Sequence, residues 1–325
     1  FPTRRSSDLE QLCLCNGISG DEGNVRNLII NEIKDCADDI KTDNLGNLIV
    51  FKKGKKSAKS KLMVSAHMDE VGLMVTDITS DGYLKFDEVG GIDRRVLPGK
   101  RVCVGRNGLN GVIGVKPIHL TNGDEKTAVP KMNDMYIDIG AESREDALKY
   151  VNYGDGINFE GDFKINGKTV VTKALDDRFG CYVLINLIKS EPEYDMYFTF
   201  VVQEEVGLRG ARPAAFTVNP DFALVIESTT AADVAEVDAS HQVCNLSKGA
   251  TVTVMDRATV YDKEMISAAF ELAEKNNIAV QYKRAVAGGN DSGAIHQSRG
   301  GVRTLAVSLP SRYIHAPSTA ANLDD

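Results

Sequence analysis

The chain lacks several features that would have pointed away from a folded enzyme. It has no run approaching the roughly 20 apolar residues that cross a bilayer, and its N-terminus has no apolar signal core. A membrane partner is therefore not expected, and a cytoplasmic location is. Positive charge is in deficit: 46 acidic residues against 38 basic ones leave a formal charge of −8, which argues against nucleic acid as a partner and favours small or cationic ligands. The six cysteines (13, 15, 36, 103, 181 and 244) contain no CxxC pair, so free and mostly buried thiols are expected instead of disulfides or a thiolate metal site. What is present is a chain of 325 residues with 42% hydrophobic content, enough for one large domain or two ordinary ones.

The two ends stand apart from this pattern. FPTRRSSDL, at positions 1 to 9, has no apolar periodicity and is similar to a translated sequencing adapter, so it is set aside as non-native. The last residues, ANLDD, are expected to be the acidic first turn of a helix whose apolar face lies beyond them.

From Leu9 to Cys36, apolar residues at helical spacing (Val25, Leu28, Ile29, Ile33) flank the turn signal NGISGDEGN, predicting helix, loop, helix. Short apolar runs then predict buried strands: NLIVF at 47–51, KLMVSA at 61–66, YFTFVV at 197–202, FALVI at 222–226 and TLAVSL at 304–309. Helical patterns lie between them, at 178–189 with Phe179, Val183, Leu184, Leu187 and Ile188, and at 263–276 with Met265, Ile266, Ala269, Phe270 and Ala273. Strands alternating with helices predict an α/β fold, a mostly parallel sheet in an α/β/α arrangement. Residues 72–161 differ, being short strand-like pieces punctuated by Gly, Asn and Pro. They predict an all-β, barrel-like module inserted into a discontinuous catalytic domain of residues 9–71 and 162–325.

Polar clusters sit at the ends of the predicted strands, and in open α/β sheets the carboxyl edge is where ligands bind. They are His67 in SAHMDE, Glu204 and Glu205 in QEEVG, Glu227 in VIEST and His315 in YIHAPS, joined by Asp176 at the start of a helix in ALDDR. Any one of them has an ordinary structural explanation. Asp176 and Asp177 favour a helix N-terminus, and a lone His at a strand end is commonly just packed. Glu227 is harder to set aside, because a carboxylate after a wholly apolar strand needs a partner. Two imidazoles and three carboxylates form a ligand set suited to Zn, Co or Mn. Five ligands exceed the need of one ion and suit a pair roughly 3.5–4 Å apart. Asp176 is expected to bridge, with His67 and Glu227 on one ion and Glu205 and His315 on the other. Glu204 is then the expected proton carrier, and Asp69 the group that orients the His67 ring.

These residues fall in motifs that resemble the tetrahedral aminopeptidases, the cocatalytic metallopeptidase family that includes glutamyl and deblocking aminopeptidases. The motifs are SAHMDEVG at 65–72, GVIGVKPIHL at 111–120, ALDDRFG at 174–180, VVQEEVGLRGA at 201–211, GGNDSGAIH at 288–296 and SLPSRYIHAP at 308–317. The resemblance implies metal ligands at His67, Asp176, Glu205, Glu227 and His315, a catalytic base at Glu204 and an orienting carboxylate at Asp69. It also implies short peptide substrates and a dodecamer whose dimers form through the β module, with active sites facing an inner chamber. Two departures are visible: Glu227 stands where many relatives carry Asp, and KGATV at 248–252 replaces a Gly-Pro.

Asn290 and Asp291 are candidates to meet the peptide amine, with a helix cap at Asp291 the alternative. Arg257 is a candidate to select an acidic first side chain, the alternative being a plain surface arginine. The expected reaction is removal of single residues from peptide N-termini, with acidic or leucyl first residues in view. Rival readings are an amidohydrolase on acylated substrates, a carboxylate-pair glycosidase, and a binding shell without chemistry.

Overall fold

The computed structural model describes residues 3–325, with side chains described for residues 8–124 and 126–325. Helices α1 (Thr3–Leu14) and α2 (Gly23–Ile33) lead into strands β1 (Asp39–Thr42), β2 (Leu48–Lys52) and β3 (Leu62–His67). Next come β4 (Gly72–Ile78), β5 (Leu84–Val89), β6 (Arg101–Val104), β7 (Leu109–Val115), β8 (Met135–Asp138), the short helix α3 (Arg144–Ala147) and β9 (Gly156–Phe159). The chain continues through β10 (Lys164–Asn166), β11 (Thr169–Thr172), α4 (Leu175–Lys189), β12 (Met196–Val201), α5 (Ala211–Val218) and β13 (Phe222–Thr230). It closes with β14 (Ala250–Val252), α6 (Lys263–Lys275), β15 (Val280–Tyr282), α7 (Ser292–Ile295), β16 (Arg303–Arg312) and β17 (Thr319–Asn322).

The main sheet runs β1-β2-β12-β3-β13-β16-β17-β11-β10, with β14 and β15 attached to β16. Its centre, β12, β3, β13 and β16, is parallel, so four carboxyl ends share one edge. Both flanks are antiparallel, which makes the sheet mixed overall. The central strands are buried on both faces, as in β3, where Met63 to His67 are all buried. This is why they read as near-continuous apolar runs. Strands β4, β5, β8, β7, β6 and β9 close into a six-stranded barrel around Leu73, Val75, Leu84, Ile113 and Ile137. The chain is therefore α/β with an inserted barrel.

Of the two readings of the chain ends, the one at the C-terminus fails. Thr3 to Leu9 belong to α1, and Leu9 packs with Cys13, Val170 and Leu309 in a buried cluster, while Phe1 and Pro2 lie outside the described residues. ANLDD does not open a helix: Ala321 and Asn322 are strand residues paired with Val170 and Thr169 of β11. The helical faces also shift. On α4 Leu184 and Ile188 are buried as expected, joined by Leu175, Cys181 and Ile185, while Phe179, Val183 and Leu187 are only half-buried. On α6 only Ala273 is buried, so this helix lies at the periphery.

Candidate active site

The parallel edge of the sheet gathers the candidate ligands. His67 is the last residue of β3, and Glu204 and Glu205 lie just past β12. Glu227 is within β13 and not after it, because that strand continues to Thr230 in register with β16, Glu227 lying opposite Ser308. His315 follows β16 by three residues. Asp176 has extended backbone (φ −86°, ψ 107°) just before the regular turns of α4. Left-handed backbone at Ala174, Gln203, Tyr313 and His315 brackets these side chains. Such strain persists only where the surroundings impose it, and it concentrates at functional sites.

The distances divide the cluster in two around Asp176. Its Oδ1 lies 3.4 Å from His67 Nε2, and its Oδ2 lies 3.2 Å from His315 Nε2. His67 Nε2 also faces Glu227 at 3.7 Å and Glu204 at 4.0 Å, while His315 Nε2 faces Glu205 at 3.1 Å. The other ring nitrogen of His67, Nδ1, donates to the Asp69 backbone carbonyl at 3.0 Å, with the Asp69 carboxylate at 3.5 Å. Asp69 reaches further than orienting a ring. Its oxygens accept from Ser19 Oγ (2.6 Å) and from the backbone N–H groups of Glu204 (3.0 Å) and Glu205 (3.1 Å). One buried carboxylate thus fixes the turn that carries both glutamates.

The electrostatics are those of a cation trap. Asp69, Asp176, Asp177, Glu204, Glu205, Glu227 and Asp291 crowd two imidazoles. Burial, joined by neighbouring carboxylates and opposed by His67, holds Glu204 and Glu227 well above the ordinary carboxyl range. Asp291 is pushed up to about 7 in the same way, by burial and then by Asp69 and Glu205 against the opposing His67. Burial disfavours a protonated His315, yet Asp176 and Glu205 hold its imidazole up at about 11. Asp69 moves the other way: burial opposes its charge, but hydrogen bonds led by His67 and Ser19 keep it low.

Among the described residues, three sets can each place ligand atoms within 4.8 Å of one another: His67, Asp176 and Glu205; His67, Glu204 and Glu227; Asp176, Asp177 and Glu227. His67 Nε2 and Glu227 Oε2 are buried and have no hydrogen-bond partner. Buried polar atoms of that kind are costly unless something coordinates them. The donor set therefore fits divalent metal.

The remaining candidates separate. A cleft of about 170 Å³ is lined by Asp176, Glu204, Glu227 and His315 together with Thr229, Lys283, Gly288, Gly289 and Asn290. Asn290 reaches it, but its side chain is committed to Tyr261 and to the N–H of Ser292. Asp291 is buried, both its carboxylate oxygens lack partners, and its side chain makes no cap on α7. Arg257 is exposed and absent from the cleft wall, its backbone N–H holding Gly288 O, so it is not placed to select a substrate side chain.

Several supporting groups were not singled out from sequence. Asp177 is buried and accepts from the backbone N–H groups of His67 and Gly180. Arg178, fully buried, donates to the carbonyls of Leu12, Cys15, Gly17 and Met68, tying the end of α1 to the site strand. Glu70 pairs with Lys173 at 2.7 Å beneath them. Glu70, Asp177 and Arg178 stand inside MDEVG and ALDDR and Lys173 just before the latter, but nothing local distinguishes a buried charge from a solvated one. The barrel also touches the site: a Cβ at Gly90, a left-handed residue, would lie 2.8 Å from Val71 and 3.2 Å from Glu205.

Fold and cluster together define a metal-dependent hydrolase of the α/β class. Residues 46–325 match the model of the M42 glutamyl aminopeptidase family, and the chain belongs to that family of metal-dependent aminopeptidases. A relative from Acetivibrio thermocellus is 44% identical over 95% of this chain and 91% of its own length. The lysyl aminopeptidase of Pyrococcus furiosus is 34% identical over 95% of this chain and 90% of its own. The structure of the TET1 peptidase of Pyrococcus horikoshii, described as able to assemble into a tetrahedron or a large octahedral shell, superposes with a TM-score of 0.87. It is 40% identical and covers 99% of this chain and 95% of its own.

Proposed function

We propose that this aminopeptidase binds two divalent cations, one through His67 and Glu227, the other through Glu205 and His315, with Asp176 shared. The observation that carries this reading is the division of the Asp176 carboxylate, one oxygen toward each imidazole at 3.4 Å and 3.2 Å. Mixed nitrogen and oxygen donors suit zinc, cobalt or manganese. When bound, such ions polarise a carbonyl and lower the pKa of a water molecule.

The chain's own groups supply the rest. Glu204 lines the cleft and takes the proton of the attacking water, then delivers it to the departing amine. Burial and the adjacent Asp291 raise its proton affinity. Asp69 holds the His67 ring and the Glu204–Glu205 turn, which keeps base and ligands in register. The substrates are short peptides with a free amine and an acidic or leucyl first residue. Solved relatives described as a dodecamer and as a tetrahedron or large octahedral shell support assembly into a large oligomer; we take it as a dodecamer of dimers joined through the barrel, and sedimentation yielding only monomers would sink that proposal. Six free cysteines accord with a cytoplasmic location.

The test is metal titration calorimetry alongside aminoacyl-anilide hydrolysis. Two ions are expected per chain, with metal-restored cleavage of free-amine substrates only. Glu204→Gln should keep both ions and lose about 10²- to 10⁴-fold in kcat, the range of a positioned general base. One ion per chain, or a fully active Glu204→Gln protein, overturns the assignment.

A further inference from the structure

The loop between α1 and α2, which carries ISGDE at 18–22, is wedged against the active-site strands. Gly17 O accepts from Glu70 N at 3.1 Å and from Arg178 Nη2 at 3.2 Å, while Gly17 N donates to Asn158 Oδ1 of β9 at 3.1 Å. Ile18 is fully buried against two barrel glycines: a Cβ at Gly72 would lie 2.2 Å from its side chain, and one at Gly156 3.1 Å. Glu22 stands at the N-cap position of α2, yet among the described residues it makes no side-chain cap there. Glutamate is not one of the residues that favour that position. It is nevertheless buried, and its Oε1 accepts from Gly20 N at 2.7 Å and from Gln203 N at 3.1 Å, the latter 181 positions away. That second bond completes a row. Past β12, four successive backbone N–H groups each meet a side-chain oxygen: Val202 on Asn47 Oδ1 (3.0 Å), Gln203 on Glu22 Oε1 (3.1 Å), Glu204 on Asp69 Oδ1 (3.0 Å) and Glu205 on Asp69 Oδ2 (3.1 Å). Gln203 is the left-handed member of the row, at φ 57°. A non-glycine residue keeps that conformation only where its surroundings impose it. Its carbonyl is held by Arg209 N at 3.1 Å, and its N–H by Glu22.

Resting on the aminopeptidase reading of this cleft, we propose that Glu22 is a positioning residue for the general base: by holding the Gln203 N–H, it fixes the left-handed turn that sets Glu204 on the cleft wall. The next residue along the chain from Gln203 is Glu204 itself, so relaxation of Gln203 redirects the base. Ser19 braces the adjoining bonds from the same loop, donating to Asp69 Oδ2 at 2.6 Å. The ligands depend on Glu22 less. His67, Asp176 and Glu227 stand on other elements, and Glu205 keeps its own bond to Asp69. Loss of Glu22 therefore acts on proton transfer before it acts on metal.

The experiment compares metal-loaded wild type, Glu22→Ala, Glu22→Asp and Glu22→Gln on leucyl- and glutamyl-p-nitroanilide, with Glu22→Ala repeated in the Glu204→Gln background. Glu22→Ala should lower kcat by about 10- to 100-fold, the cost of a small misplacement of a reacting group, and change KM less than about 3-fold. Glu22→Asp, one methylene short of Gln203, should fall in the same direction and carries the test if the alanine variant does not fold. Glu22→Gln keeps an acceptor oxygen at that place and should stay within about 3-fold of wild type. In the Glu204→Gln protein, Glu22→Ala should lower the remaining rate less than about 3-fold, because the base it positions is gone. Calorimetry should find the wild-type number of ions in every Glu22 variant. Hydrogen exchange of the metal-free protein should quicken in the peptide spanning 202–205 in Glu22→Ala but not in Glu22→Gln. A lowered melting temperature with kcat of the folded protein unchanged would show that Glu22 only stabilises the fold, and would overturn the proposal. So would loss of an ion, which would make Glu22 a support of Glu205, or an equal fall in both backgrounds. A wild type that binds metal yet cuts neither anilide removes the aminopeptidase reading and this proposal with it, whereas an active wild type matched by Glu22→Ala removes this proposal alone.

Discussion

The barrel and the carboxyl edge of the sheet are both buried, and they are buried in opposite ways. Inside the barrel, Leu73, Val75, Leu84, Phe86, Ile113 and Ile137 belong to one cluster of apolar side chains, whose burial favours folding. At the sheet edge the residues removed from water are His67, Asp69, Asp177, Glu227 and Asp291, several with polar atoms that nothing in the chain satisfies. The edge is held in shape by its neighbours: Arg178 gripping the end of α1, the Glu70–Lys173 pair, and Gly90 of the barrel side closing on Glu205. Stability made in one region holds open a site that is unfavourable by itself, as expected where function and stability compete.

That contrast can be broken by substitution. The largest effect is expected from Leu84→Ala, which empties a fully buried position opposite Ile137 and should destabilise the metal-free protein by about 2–5 kcal/mol. Denaturant unfolding measures it, and metal affinity of the folded fraction should not change. A next, opposite effect is expected from Glu227→Gln. Burial followed by like charges holds the Glu227 carboxyl well above its ordinary range, and Oε2 has no partner. Removing that charge should stabilise the metal-free protein at neutral pH by about 1–4 kcal/mol, as when buried ionic groups are replaced by neutral ones. The sign follows from the raised folded-state pKa: the ionised form is the disfavoured one, so the gain grows as pH rises above the ordinary glutamate value and is gone below it. The same variant should bind metal more weakly. If it melted lower than wild type without metal, the edge would not be the strained region proposed.

Most of the site was visible in sequence because its residues sit at strand ends, and strand ends are marked by where an apolar run stops. His67, Glu204, Glu205 and His315 were found that way, and Asp176 by its place at the head of α4. Glu227 was found although its strand runs on past it, because FALVI stops being apolar before β13 stops pairing. What stayed hidden depends on partners far along the chain. Glu70 and Lys173 are 103 positions apart, and each alone looks like a surface charge. Asp177 looked like a helix cap, and its true acceptor role toward His67 N–H spans 110 positions. Arg257 and Lys283 differ in type no more than any arginine and lysine, and only the fold leaves Arg257 exposed and puts Lys283 on the cleft wall. The antiparallel strand β17 was missed because TAAN carries too little apolar character to declare itself, its pairing being fixed by β11 and β16.

The smallest expected effect lies outside both regions and tests whether the edge is special. Asp262 caps α6 by accepting from Met265 N–H at 2.9 Å, and it pairs with Arg303 at 2.7 Å. The Arg303 hydrogen bonds, then the cap, hold its carboxyl down at about 2. Unlike Glu227, this carboxylate is satisfied and close to solvent, so its charge should favour folding. Asp262→Ala should cost about 1 kcal/mol at neutral pH, the scale of a lost N-cap. Because the folded-state pKa is depressed, that contribution should be complete above the ordinary aspartate value near about 4 and fade as pH falls toward about 2. Thermal melts of wild type and variant should therefore converge over that window in acid, while wild type and Glu227→Gln should already have converged at higher pH. Two carboxylates in one chain would then show opposite signs of pH dependence, set by whether the fold supplies a partner. A gap between wild type and Asp262→Ala that stayed constant down to about pH 2 would mean that the cap acts without its charge, and that the sign difference between edge and surface has another origin.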